Sequence, residues 1–151
     1  LLPEPDYVFC AMGTNDSTVS SQDFIDAYME WLGAVRQACP NTKIFCVTPP
    51  LGDGWHAADI RAIVTASNAG GDKNVYLIDT APLESQFRAG SGATTLAYDG
   101  VHPSVYGQAM LGSLIAIESQ KTLNTPDFND DGTIDFSDFS EFASYWLTEI
   151  E

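Results

Sequence analysis

Two short stretches of the chain bring together side chains that can move protons and stabilise charge. In "YDGVHPS", residues 98–104, Asp99 and His102 stand three positions apart in a chain that holds only 2 histidines. At that offset within a loop, a carboxylate reaches one imidazole nitrogen, fixes the tautomer and supports the imidazolium that forms during proton transfer. The same spacing also serves in ordinary polar turns. In "GTND", residues 13–16, Asn15 carries an amide NH2 that can point at a developing oxyanion, and Gly13 lets the backbone approach a substrate. Asn15 and Asp16 are also suited to capping a loop.

A third stretch suits a metal ion. In "DFNDDGTIDFSD", residues 127–138, oxygen-bearing side chains fall at loop positions 1, 3, 5, 9 and 12: Asp127, Asn129, Asp131, Asp135 and Asp138. Gly132 stands at position 6 for a sharp turn, and Thr133 at 7 offers its carbonyl. Hard oxygens converging on one centre are what calcium requires. Phe139, Phe142, Trp146 and Leu147 give the residues that follow an apolar stripe at helical spacing.

The elements that must position these residues are legible as apolar runs. Residues 7–12, "YVFCAM", form a nearly continuous apolar run that predicts a strand buried on both faces and ended by Gly13. From residue 22 to 38, Phe24, Tyr28, Trp31, Leu32 and Val35 recur at spacings of three and four, which predicts an amphipathic helix. Ser20 and Asp23 are placed to cap it, and Pro40 ends it. Residues 43–50 predict a second buried strand, 57–68 a helix, 75–80 a third strand, and 105–118 a final helix carrying Met110, Leu111, Leu114 and Ile115. Strand alternating with helix implies an α/β fold, a parallel sheet with covering helices. In such sheets ligands bind beyond the carboxyl ends of the strands. The 13–16 and 98–104 stretches are therefore expected on one rim.

The charge is unevenly placed. Residues 1–124 hold 13 acids and 6 bases, whereas residues 125–151 hold 8 acids and no base. Such a surface repels phosphate, which argues against nucleic acid and anionic membranes as partners and favours cations. No apolar run reaches the roughly 18 residues of a membrane span. Of Cys10, Cys39 and Cys46, the first and last read as buried strand residues without a redox role, and no CxxC spacing suggests zinc.

"GTND" after a buried strand and "DGVHP" before the last helix resemble the SGNH hydrolases, also called GDSL-type esterases, over about residues 5–118. The resemblance implies a three-layer, flavodoxin-like parallel sheet ordered 2-1-3-4-5. It also implies that Asn15 donates to an oxyanion hole beside Gly13, that His102 is the base for a serine, and that Asp99 orients it. The family's N-terminal serine block and second, glycine-bearing block have no counterpart in these residues. The expectation is a C-terminal portion with the N-terminal strands missing, an unpaired edge at 7–12, a nucleophile upstream, and no hydrolysis by this portion alone. Ser17, Ser91 and Ser104 are the substitutes within the chain, none on a strand-to-helix elbow. Trp55, His56 and Tyr98 are candidates to line the substrate rim, and His56 reads first as a helix-start histidine.

Residues 127–138 resemble the calcium loop of one dockerin repeat, an EF-hand variant with Asp in place of Glu at position 12. This implies a small helical segment with structural calcium and a cohesin-like partner outside the cell. The expected organisation is a hydrolase domain over 1–118, a linker over 119–125 and a dockerin-like segment over 126–151. The function it implies is hydrolysis of carboxylic esters, acetyl groups on carbohydrate foremost. The competing expectation is a non-catalytic α/β domain serving calcium-dependent attachment through the tail.

Overall fold

A computed structural model describes residues 4–89 and 95–123, together with 136, 137 and 140. The expected calcium ligands Asp127, Asn129, Asp131, Thr133, Asp135 and Asp138 lie outside the described residues, as does Ser91. In chain order the elements are β1 (Tyr7–Cys10), α1 (Ser21–Ala38), β2 (Lys43–Val47), a 3-10 turn (Asp53–Trp55), α2 (Ala57–Ala69), β3 (Val75–Ile78), α3 (Ala81–Arg88) and α4 (Val105–Leu123).

The three strands form a parallel sheet in the order β1-β2-β3, with Cys10 opposite Cys46 and Cys46 opposite Leu77. Strand residues alternate between faces, so two cores result. On one face Cys10, Ile44, Cys46 and Val75 meet Phe24, Tyr28 and Leu32 of α1 and Ile60, Ile63 and Val64 of α2. On the other, Phe45, Val47 and Ile78 are buried, with Ile115 and Leu123 of α4 packed against them. Each side chain buried this fully contributes on the order of 1.5–3 kcal/mol. The result is three layers, helix on sheet on helix.

Both ends of α1 are chemically defined. The Ser20 hydroxyl accepts the Asp23 N–H at 3.2 Å and donates to the Asp23 carboxylate at 2.7 Å, as the cap residues suggested. At the other end Arg36 forks onto Asp72, at 2.9 and 3.1 Å, and also donates to the carbonyls of Cys39 and Thr42.

The structure corrects three expectations. Tyr7 and Phe9 are 47% and 48% exposed, so β1 is not buried on both faces. Among the described residues β1 pairs with β2 alone, and Phe9 stacks on Phe45 at 4.8 Å from the margin of the core beneath α4. α3 was not expected: it has only eight residues, and its proline reads as a breaker although the first turn of a helix tolerates one. The last helix continues past 118 to Leu123, so the segment expected to begin a linker at 119 is helical that far.

Candidate active site

The loop before α4 is a narrow hairpin. Leu96 and Ala97 are buried in a cluster with Leu51, Leu83 and Phe87, which anchors one side of it. Ala97 bridges to Pro103, the Tyr98 N–H donates to the His102 carbonyl at 2.7 Å, and the Ser104 N–H donates to the Leu96 carbonyl at 2.9 Å. Asp99 and His102 thus stand at its tip. Ser104 then caps α4, its hydroxyl accepting the Gly107 N–H at 3.0 Å and donating to the Thr95 carbonyl. Gly107 is required here, because a Cβ on it would lie 1.9 Å from the Leu96 carbonyl oxygen.

Asp99 holds the turn through three hydrogen bonds, two of them to His102. Its Oδ1 accepts the backbone N–H groups of His102 at 2.8 Å and Val101 at 3.1 Å, and its Oδ2 lies 2.7 Å from His102 Nδ1. The two backbone donors and the imidazole, the His102 N–H foremost, hold the Asp99 carboxyl at about 2. An ionised carboxylate accepts and cannot donate, so the Nδ1 proton belongs to the ring. The neutral ring then carries its lone pair on Nε2, and the His102 side chain is 73% exposed. That is the tautomer a general base needs.

The 13–16 turn follows β1 on the same, carboxyl end of the sheet. Gly13 has φ +111°, and a Cβ there would lie 3.1 Å from the Trp55 carbonyl oxygen and 3.2 Å from Pro49 Cγ. The turn closes through the Asp16 N–H on the Gly13 carbonyl at 3.1 Å, with Asn15 exposed on it. Trp55, against which the turn presses, packs on the cluster that holds Leu96, and so does Val101 beside His102. The loop after β2 is therefore the wall between the two motifs.

That wall rests on a network with no signature in the sequence. The Thr80 N–H donates to the Thr48 hydroxyl at 2.8 Å and the Thr80 hydroxyl to the Thr48 carbonyl at 2.9 Å, tying the ends of β2 and β3. Arg61 forks onto Asp79 at 2.8 and 3.0 Å and reaches Asp53 at 2.7 Å. Its guanidinium holds the Asp79 carboxyl below its usual range. The partners lie 32 residues apart for the threonines and 18 for Arg61 with Asp79, so no local pattern marks them.

Of the residues expected at the rim, Tyr98 is 66% exposed beside His102. Trp55 is half-buried against the hydrophobic cluster. His56 stands at the start of α2, as its helix-start reading has it: only 5% of it is exposed, and both its ring nitrogens meet protein acceptors. Ser17 is exposed near the 13–16 turn, whereas the Ser104 hydroxyl is committed to capping.

Comparison with known proteins agrees with this architecture. The model of the GDSL-like Lipase/Acylhydrolase family matches residues 2–110. The chain is 28% identical over 126 residues to the cellulase/esterase CelE of Acetivibrio thermocellus, covering 79% of this chain and 14% of that protein. It superposes on a family two carbohydrate esterase from Clostridium thermocellum, solved in complex with cellohexaose, with a TM-score of 0.64 at 26% identity. That match covers 80% of this chain and 37% of the other. An active site mutant of a family two carbohydrate esterase from Clostridium thermocellum gives a TM-score of 0.65 at 24% identity. The chain thus spans a minor part of each of these relatives.

Proposed function

Since the chain belongs to the GDSL-like lipase/acylhydrolase family, we propose that it supplies the base and oxyanion side of a serine esterase acting on acylated, foremost acetylated, carbohydrate. The observation that carries this reading is the Asp99 to His102 contact at 2.7 Å, with Nε2 of the neutral ring left as the exposed base. In the proposed mechanism His102 Nε2 takes the proton of a serine hydroxyl as its oxygen attacks the ester carbonyl carbon. In this reading the serine belongs to a longer polypeptide of which these 151 residues are a part. The carbonyl oxygen becomes an oxyanion that the Asn15 amide stabilises, with Gly13 allowing the close approach. The imidazolium, held by Asp99, returns the proton to the departing alkoxide, and the same base then activates the water that cleaves the acyl-enzyme.

Carbohydrate enters through the relatives, which include an esterase solved with cellohexaose. The exposed Tyr98 and Tyr106 flank His102 in sequence and offer aromatic faces to a sugar ring. The test uses the longer polypeptide that carries the serine, with an acetylated oligosaccharide as substrate. His102→Ala is expected to lower kcat/KM by about 10³-fold or more, and Asp99→Asn by a comparable factor. Acetate release undiminished in His102→Ala would sink this mechanism.

We also propose, from loop spacing, that residues 127–138 hold one calcium ion, and, from the resemblance to one dockerin repeat, that the segment 126–151 serves attachment to a cohesin-like partner outside the cell.

A further inference from the structure

His56 occupies an unusual place for a histidine outside the proposed triad. It is the non-glycine residue with positive φ among those described, at 64°, a region in which a Cβ is crowded. Its ring stacks on Phe24 of α1, centroids 4.0 Å apart and planes 9° from parallel. Nδ1 lies 2.7 Å from Asp59 Oδ2 on α2, and Nε2 lies 2.7 Å from the backbone carbonyl oxygen of Asp16 in the 13–16 turn. A carbonyl oxygen accepts and never donates, and a carboxylate does the same. Both short contacts are satisfied together when both nitrogens carry protons.

We propose that His56 is a positioning residue, a buried imidazolium that pins the turn carrying Asn15 to the first turn of α2. The inference rests on the esterase reading only in giving the pinned Asn15 a task. The charged groups facing the ring are Asp59 from α2 and Asp16 from the turn, while α1 presents the face of Phe24. Burial opposes the charge on the ring, but the hydrogen bonds and the two acids outweigh it and raise the ring above its usual value. The pin is therefore complete at low pH and is released as pH rises through the raised value. The carboxylate keeps the last proton on Nδ1, so the proton lost is the one on Nε2, and the contact to Asp16 is lost with it. With Asp59→Asn the amide can donate to Nδ1, and the neutral ring keeps its proton on Nε2 toward Asp16.

The experiment follows the ring and backbone of the 151-residue chain by ¹⁵N NMR across pH. The expected result is that His56 titrates above about 6.5, the usual imidazole value, and that the amides of residues 14–16 shift with it. Asp59→Asn should lower the ring titration and uncouple those amides from it. In the longer polypeptide, His56→Asn, which suits positive φ but cannot span both partners, should lower kcat about tenfold to a hundredfold with KM little changed. Wild-type kcat should fall as pH rises through the His56 titration, whereas Asp59→Asn should retain kcat without that fall. Amides of 14–16 that stay still while His56 titrates, or stay coupled in Asp59→Asn, overturn the inference. A wild-type polypeptide that hydrolyses no ester overturns the esterase reading alone, because the titration decides the pin by itself.

Discussion

Asp99 illustrates how little of a reactive group's chemistry depends on burial. It is half-exposed, yet three donors converge on it from its own turn, and they hold it ionised down to about 2. The spacing of Asp99 and His102 was enough to expect the side-chain contact, but the two backbone bonds that set the charge state follow from the hairpin. The sign of the pH effect follows. A carboxyl with a depressed folded value stabilises the folded loop above its unfolded value of about 3.9 and loses that contribution as pH falls through about 2. Carboxyl ¹³C titration should give an Asp99 midpoint well below 3.9, with the His102 amide moving in step; a midpoint at the unfolded value would show that the turn does not hold it. Cys10 and Cys46 are buried in the strands as their sequence suggested, and that burial pushes Cys46 up to about 11 and raises Cys10.

At the scale of elements, α4 places the hairpin through contact between backbones. Gly107 stands where the helix touches Leu96, and a Cβ on it, 1.9 Å from that carbonyl oxygen, would have no room. Backbone cannot swing aside as a side chain can, so Gly107→Ala must push α4 and the hairpin apart. The expected cost is about 1–3 kcal/mol in a urea unfolding midpoint, with a larger relative loss of esterase activity in the longer polypeptide. A wild-type midpoint in Gly107→Ala would show that the contact is soft. This contact was not legible in sequence, where the glycine reads as an ordinary helical residue. The elements that were legible carry their own periodicity: Phe24, Tyr28 and Leu32 on α1, and the apolar runs of β2 and β3, whose Ile44, Phe45 and Ile78 are buried. Those that were not depend on distant partners. The 3-10 turn is held by Arg61 on Asp53, β2 is tied to β3 by Thr48 and Thr80, and His56 reads as a helix start or a rim residue, with no sign in sequence that Phe24, Asp16 and Asp59 surround it.

Over the whole molecule, charge is the property that sequence states most directly and the fold explains least. Among the described residues the cations are largely spent on structural acids, Arg36 on Asp72 and Arg61 on Asp53 and Asp79. The 8 acids of residues 125–151 share that segment with no base. Five of the loop positions from 127 to 138 carry oxygen side chains in calcium order, so a divalent cation is the counter-charge that the spacing selects. Calorimetric titration of the chain with calcium should show one site. Asp131→Ala together with Asp135→Ala should weaken it at least tenfold, whereas Asp72→Asn, far from the loop in sequence, should leave it unchanged. Magnesium, which demands a tighter octahedron and sheds water reluctantly, should compete poorly. Equal binding of both ions, or heats that vanish in moderate salt, would reduce the segment to a diffuse acidic surface. Calcium binding would also leave the Asp99 midpoint where it is, because the two sites share no residue, and a shift in that midpoint would show that tail and hairpin communicate.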